Sequence, residues 1–289
     1  MNKAHAPRVL ITGKNGQVGR ELVARAEELA IDFVAFDSRE LDICNRAAVL
    51  LAAERHQPTV IINAAAYTAV DKAEGEQELA YAVNRNGVEN LALACKAQDI
   101  QLIHISTDYV FNGEKNSPYV ESDGPDPIGV YGASKYAGEE VLKATLEKHI
   151  ILRVSWVFGR YGNNFVKTML RLAAERDELS VVNDQFGAPT SARDIAVRIY
   201  DLVEKGGRVQ GVVHLESSPG VSWYEFSGQI FKLATELGLL DKAPRLKAVS
   251  SSEFPTLVQR PKNSKLATER SVCSAVEWLP RLEEMLQSS

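Results

Sequence analysis

A doubly wound α/β fold on a parallel sheet, joined to a smaller mixed α/β region, is the architecture this sequence predicts. Three observations carry it. Short β-branched runs alternate with longer helical patterns through the first half, most of those runs are apolar throughout rather than alternating, and a glycine-spaced turn follows the first of them. Strands covered by helices on both faces lose the alternation of a half-exposed sheet. A β–α–β–α order implies parallel strands joined by right-handed crossovers.

The candidate strands are Arg8–Thr12, Asp32–Phe36, 59–63, 101–106 and His149–Val154. Helical patterns lie between them, starting at Gln17 and Asn45 and spanning 76–97 and 131–148. The second half is more mixed. Helical patterns recur at 164–176, Ala192–Glu204, 223–237 and 274–286, with short strands at 179–183 and 212–215. Residues 113–129 hold Gly, Pro, Asp and Asn with little periodicity and read as a long loop, a kind of segment that is often functional. No repeat or low-complexity tract interrupts the chain.

The chain has 289 residues, enough for about two domains or one large unit with an appendage. Lys and Arg number 33 against 38 Asp and Glu, a net charge of −5 without blocks of one sign, which disfavours a nucleic-acid partner. The three cysteines are far apart and the five histidines form no HxxxH or HExxH pattern, so a zinc centre is not expected. No apolar run is long enough to span a bilayer, and residues 1–7 lack the apolar core of a secretory signal; a cytoplasmic location is expected.

The turn after the first strand is Gly13-Lys14-Asn15-Gly16-Gln17-Val18-Gly19. A backbone that approaches a pyrophosphate excludes Cβ atoms, and a helix amino terminus aimed at the anion favours its charge, so a Rossmann-type dinucleotide site is expected. Its spacing is GxxGxxG, and an ordinary turn is the alternative. Asp37, 18 residues past Gly19, ends the second strand, where a carboxylate accepts from an adenosine ribose. Lys14 and Arg39 stand close enough in sequence to neutralise a 2′-phosphate instead, which leaves NADH and NADPH both open. Asp42-Ile43 is a candidate adenine contact, with Asp42 as a helix N-cap the alternative. Asn63-Ala64-Ala65-Ala66-Tyr67 ends the third strand in small side chains that admit a ligand, or that simply pack tightly.

Tyr131 and Lys135 stand at i and i+4 on one helix face. A cation beside a phenol favours phenolate and turns the pair into a proton relay for a carbonyl. Ser106 and Thr107 end the fourth strand and place hydroxyls at the same sheet edge. A lone YxxxK is usually a pair of surface neighbours; its order after a glycine turn and a strand-four hydroxyl makes it specific.

With these motifs the sequence resembles the extended short-chain dehydrogenase/reductase superfamily, and within it the dTDP-4-dehydrorhamnose reductases. The resemblance runs along nearly the whole chain, through 13–19, 63–74, 106–111, 131–135, 155–157, 162–165, 184–190 and Arg260-Pro261 with Ser264. It implies a catalytic trio of Thr107, Tyr131 and Lys135. It implies NAD(P)H contacts at Gly16, Gln17, Val18, Asp37, Asp42, Ile43, Ala64, Ala65, Ala66, Tyr67 and Thr68. Asp108 and Trp156 match positions that meet the deoxysugar nucleotide, and Val70, Asn164, Lys167 and Arg260 are implied in the same pocket. Arg260 suits a pyrophosphate clamp, Trp156 an aromatic wall or a core position, and Asn164 a sugar contact or a helix cap. Residues 1–155 are expected to form mainly the dinucleotide half and 156–289 mainly the sugar-nucleotide half, with segments returning to the first.

The resemblance also raises a Mg2+ ion held between subunits by acidic side chains. Glu21 matches one such position, but Arg193 stands where another acid is expected, which puts the ion and a dimer built on it in doubt. A monomer or a homodimer both fit. The expected activity is reduction of the C4 keto group of a dTDP-deoxysugar. The alternatives are an NADP-binding regulatory subunit and a sugar-nucleotide 4-epimerase sharing the Tyr/Lys machinery.

Overall fold

A computed structural model describes residues 7–254, 256–270 and 272–288. Five strands of the first half, β1 (Arg8–Thr12), β2 (Asp32–Phe36), β3 (Val60–Asn63), β4 (Gln101–Thr107) and β5 (His149–Val154), pair in parallel. After β6 (Glu178–Val182) the chain returns to this sheet as β7 (Gly211–His214), parallel to β5. The order β7-β5-β4-β3-β1-β2 places the point where the strand order reverses between β1 and β3. In such sheets the crevice at the strands' carboxyl ends, beside the reversal, is where ligands bind.

Two apolar layers cover the sheet. On one face α1 (Gln17–Glu28) and α6 (Ala192–Glu204) pack Leu22, Ala26, Ile195 and Ile199 against Val9, Ile11 and Ile150. On the other, α2 (Arg46–His56), α3 (Val88–Gln98) and α4 (Val130–Thr145) bring Val49, Leu91 and Leu142 onto Leu10, Ile61 and Ile151. This two-sided burial is why β3 and β5 read as continuous apolar runs.

The remaining helices, α5 (Phe165–Glu175), α7 (Trp223–Glu236) and α8 (Trp278–Gln287), build a separate core with β6 around Phe158, Phe226, Phe231 and Trp278. Side-chain caps start two of them: Asn164 accepts from Lys167 N–H on α5, and Ser222 with Glu225 forms a capping box on α7.

The structure departs from the sequence expectations in three places. The helical run 76–97 is a short helix, Gln77–Tyr81, then a π-helical turn, Ala82–Gly87, then α3. The last helix starts at Trp278, four residues late, because Val276–Glu277 pairs in parallel with Ser217–Ser218. A further strand, β8 (Arg245–Val249), lies on β6; its largely exposed, charged sequence hides it. Residues 113–129 contain no helix or named strand, yet Tyr119 fastens them. Its ring stacks on Phe111 at 4.2 Å, its hydroxyl donates to Asn112 and accepts from Gly113 N–H, and its backbone bridges to Leu266. No helix among the described residues is long and apolar enough to cross a membrane.

Candidate active site

The carboxyl ends of β1, β3, β4 and β5 open into a cleft of about 590 Å3. A depression of about 710 Å3 at the opposite edge, among Lys96, Lys143 and Lys148, lies at the amino ends of the strands, where the fold offers no converging loops.

One wall of the cleft is the turn after β1. Gly13 holds a φ of +74°, and a Cβ there would stand 2.6 Å from Ala65 N. At Gly19 a Cβ would come within 2.0 Å of the Gly13 carbonyl oxygen, so the helix can pack on its own entry turn only without a side chain. Gly16 precedes α1 without a side-chain cap, leaving the first-turn N–H groups unclaimed by the protein. These features fit a dinucleotide pyrophosphate: close backbone, open donors and the positive end of a helix dipole. Gly16, Gln17 and Val18 line the cleft, and Asn15 faces a neighbouring hollow.

Asp37 ends β2 with its carboxylate organised by the chain: Asn15 Nδ2 donates to it at 2.8 Å, and Arg39 and Glu40 N–H donate at 2.9 and 3.1 Å. The backbone donation from Arg39 holds its pKa below the ordinary range. Lys14 is tied to Glu40, whereas Arg39 is open to solvent. Asn45, not Asp42, caps α2; Asp42 accepts from Cys44 N–H and is exposed. The Ile43 side chain is buried at 4% exposure and packs over Gly87, so only backbone at that position is open to a ligand.

Beyond β3, Ala64, Ala66 and Thr68 line the cleft. Ala65 is held by its N–H donating to Asn63 Oδ1, and Tyr67 by Asn84, which accepts from Tyr67 N–H at 2.9 Å and donates to its carbonyl at 3.0 Å. Asn84 lies in the π-helical turn and also donates to Ser134 Oγ, one residue from Lys135. Sequence reading passed over Asn84, because only the extra residue of the π turn aims it at this strand end.

Thr107, Tyr131 and Lys135 meet on the floor of the cleft. Thr107 donates to Asp108 Oδ1 at 3.0 Å and accepts from Tyr109 N–H at 3.2 Å. Burial pushes the Tyr131 phenol up to about 12, a hydrogen bond with Thr107 offsetting part of the rise. The expected depression by Lys135 is absent, and the reason is geometric. The lysine is turned to β4, donating to the Ile105 carbonyl at 2.7 Å with His104 Nε2 at 3.2 Å. Loss of water lowers its own pKa to about 8.

The facing wall is aromatic. Trp156, at a φ of +43°, stacks on Trp223 with ring centroids 3.4 Å apart, and Phe165 and Phe226 continue the surface. Gly187 lies under the indole, where a Cβ would come within 2.2 Å of the ring. Asn164 caps α5 and also donates to Gln17 Oε1 at 3.0 Å, fastening this wall to the glycine turn. Asp108 is buried with Oδ2 lacking a donor in bonding geometry, and desolvation raises its pKa to about 6. Val70 lines the cleft; Lys167 does not, donating instead to the Arg160 carbonyl. Arg260 is off the cavity wall. Its Nη2 pairs with both Asp71 oxygens at 2.8 Å, while Nη1 is buried without a partner.

The residues at the expected inter-subunit metal position do not fit a divalent ion. Glu21 is paired with Arg160 at 3.1 Å, Arg193 with Glu284, and Arg281 with Asp194. No cluster of three or more metal-ligating side chains exists among the described residues.

Comparison with known proteins is consistent along the whole chain. A protein family described as the RmlD substrate binding domain matches residues 7–289. A dTDP-4-dehydrorhamnose reductase of Aggregatibacter actinomycetemcomitans is 48% identical over 267 residues, 89% of each chain. That of Escherichia coli K12 is 42% identical over 91% of this chain and 90% of its own. The crystal structure of the Bacillus anthracis dTDP-4-dehydrorhamnose reductase in complex with NADP superposes with a TM-score of 0.91 at 40% identity, covering 98% of this chain and 99% of that one.

Proposed function

The chain belongs to the RmlD substrate-binding-domain family, and from that premise we propose that it is a dTDP-4-dehydrorhamnose reductase, reducing the C4 keto group of dTDP-4-dehydro-β-L-rhamnose with NADPH or NADH. The observation that carries this reading is the meeting of Thr107, Tyr131 and Lys135 across one cleft from a glycine turn whose helix donors are open.

Gly13, Asn15, Gly16, Gln17, Val18 and Gly19 would hold the pyrophosphate, Asp37 the adenosine ribose, and the backbone at Asp42, Ile43 and Ala64 to Thr68 the rest of the dinucleotide. A reduced nicotinamide, when bound, supplies the hydride. Tyr131 acts as a proton donor. With its pKa near 12 it stays a phenol at neutral pH, and it gives its proton to the more basic alkoxide oxygen that develops at C4. Thr107 shares a hydrogen bond with the phenol and orients the same oxygen. The Lys135 amine binds the nicotinamide ribose beside them. Asp108, on the cleft wall beside Thr107 and Ser264, would accept from a sugar hydroxyl, and Trp156 covers the sugar or base, with Val70 and Asn164 at the edge. Arg260 and Lys167, which stand off the cleft wall, would have to turn from Asp71 and the Arg160 carbonyl to meet the diphosphate.

Under this reading 1–155 serve mainly the dinucleotide and 156–289 mainly the sugar nucleotide. The net charge of −5 supports action apart from nucleic acid. We place the reaction in the cytoplasm, on a monomer or homodimer, with the interface around Glu21 requiring no Mg2+.

The test is oxidation of NADPH and of NADH with the 4-keto-6-deoxy sugar of dTDP, its 3,5-epimerase being supplied. Stoichiometric oxidation that needs the epimerase supports the reductase. Catalysis without net cofactor consumption would mark a 4-epimerase, and silence from folded, cofactor-bound protein a regulatory subunit.

A further inference from the structure

Behind the lysine of the cleft floor runs a buried polar chain that the reaction described above does not use. Thr12, Asn63 and His104 stand side by side at one register on β1, β3 and β4. All three are buried, His104 and Asn63 completely. Thr12 Oγ1 lies 2.7 Å from Asn63 Oδ1, Asn63 Nδ2 lies 2.9 Å from His104 Nδ1, and His104 Nε2 lies 3.2 Å from Lys135 Nζ.

The direction of these bonds follows from one group that can only donate. Ala65 N–H points at Asn63 Oδ1 from 3.1 Å, so that atom is the amide oxygen and Nδ2 is the donor toward the imidazole. His104 Nδ1 must then accept. A neutral imidazole that accepts at Nδ1 carries its proton on Nε2.

We propose that His104 is a positioning residue for Lys135: Asn63 locks it as the Nε2–H tautomer, so that an N–H rather than a lone pair faces the lysine. An ammonium at this distance meets donor against donor, whereas a neutral amine accepts the Nε2–H bond. The lock therefore disfavours the ammonium. It also directs the lysine's remaining protons toward the Ile105 carbonyl and the cleft, where a ribose hydroxyl is expected. Desolvation, the larger cause, keeps His104 neutral, which preserves the tautomer. The other groups facing Lys135 are Tyr131 and Glu139 on its own helix and, past β4, Asp108. Glu139, which favours the ammonium, is paired with Arg153 of β5, whose Nε and Nη2 donate to its two oxygens at 3.0 and 2.6 Å, and it also accepts from Ser106.

Two measurements test this, and the first does not depend on the reductase reading. Long-range 1H–15N correlation spectra of the cofactor-free protein, with His104 assigned through His104→Gln, should show an Nε2–H imidazole that does not titrate between pH 6 and 9. An Nδ1–H pattern, or a titrating ring, overturns the proposal. The second rests on turnover. In Asn63→Asp the carboxylate can only accept, so the imidazole proton moves to Nδ1 and a lone pair turns to Lys135. The acid limb of kcat, below which Lys135 is an ammonium, should then rise by about one pH unit. An unmoved limb in a folded variant overturns the tuning. Should Asn63→Asp not fold, 13C-labelled lysine in the native protein decides: Lys135 must titrate well below ordinary lysines, and titration among them defeats the idea.

Discussion

The two walls of the cleft are built by opposite means. The sheet-edge wall is made of strand ends and helix starts: a glycine turn, three alanines, a threonine, and a tyrosine with its lysine. Each lies within a short sequence motif and is held by backbone geometry. The facing wall is a stack of Trp156, Trp223, Phe165 and Phe226 gathered from segments up to 70 residues apart, with Gly187 hollowed out beneath it. A dinucleotide phosphate needs close backbone and fixed donors, which local motifs supply. A sugar and base need an extended apolar face, which only tertiary packing assembles. On the proposed reading, the wall that holds the dinucleotide is thus locally encoded, and the wall that meets the sugar nucleotide is not.

That division makes the effects of substitutions separable. Tyr131→Phe should lower kcat by roughly 10²–10⁴-fold while leaving the affinities for cofactor and sugar nucleotide unchanged. Turnover near the wild-type value would remove chemistry from the sheet-edge wall. Asp108→Asn tests the boundary between the walls. The Asp108 pKa is raised from 3.8 to about 6, so the folded state disfavours its ionised form. The resulting penalty is absent below pH 4, grows as pH rises toward 6 and is constant above. The substitution should therefore stabilise the protein at pH 7 by up to about 3 kcal/mol and by nothing near pH 4, as read from denaturant unfolding at the two values. A gain independent of pH would show that the charge is not its source.

Gly19→Ala forces a Cβ onto the Gly13 carbonyl. It should cost about 1–3 kcal/mol of stability and weaken cofactor binding in fluorescence titrations, with KM for the sugar nucleotide little changed. Trp156→Ala is the mirror experiment. Losing the stacked indole should raise KM for the sugar nucleotide about tenfold, some 1.4 kcal/mol, with cofactor affinity intact. If each variant disturbed both ligands equally, the walls would be one unit rather than two.

Much of this was legible in the sequence. Continuous apolar strands and glycine spacing gave the doubly wound sheet, since burial on both faces and a crowded turn leave those marks directly. Tyr131 and Lys135 could be read because they share a helix face, whereas the residues alone left Ser106 and Thr107, the last two of β4, both open and the resemblance chose Thr107. The direction in which Lys135 points could not: i and i+4 says that two side chains are neighbours, not which of them a buried histidine on β4 will claim. Asp42 and Ile43 show the same limit. Their place after β2 is local information, but that Asn45 caps the helix and Ile43 turns into the core is settled by packing against Gly87.

What the sequence by itself determined, then, is every feature set by neighbours along the chain: strand burial, the phosphate turn, the helix pair of Tyr131 and Lys135, and the family they mark. The tertiary structure alone decided the aromatic wall, the Asn164–Gln17 link across the cleft, the diversion of Arg260 to Asp71, and the hydrogen-bond chain from Thr12 to Lys135. The physical reason is that hydrogen-bond direction and desolvation depend on every group that closes around an atom, and those groups come from strands adjacent only in the folded sheet.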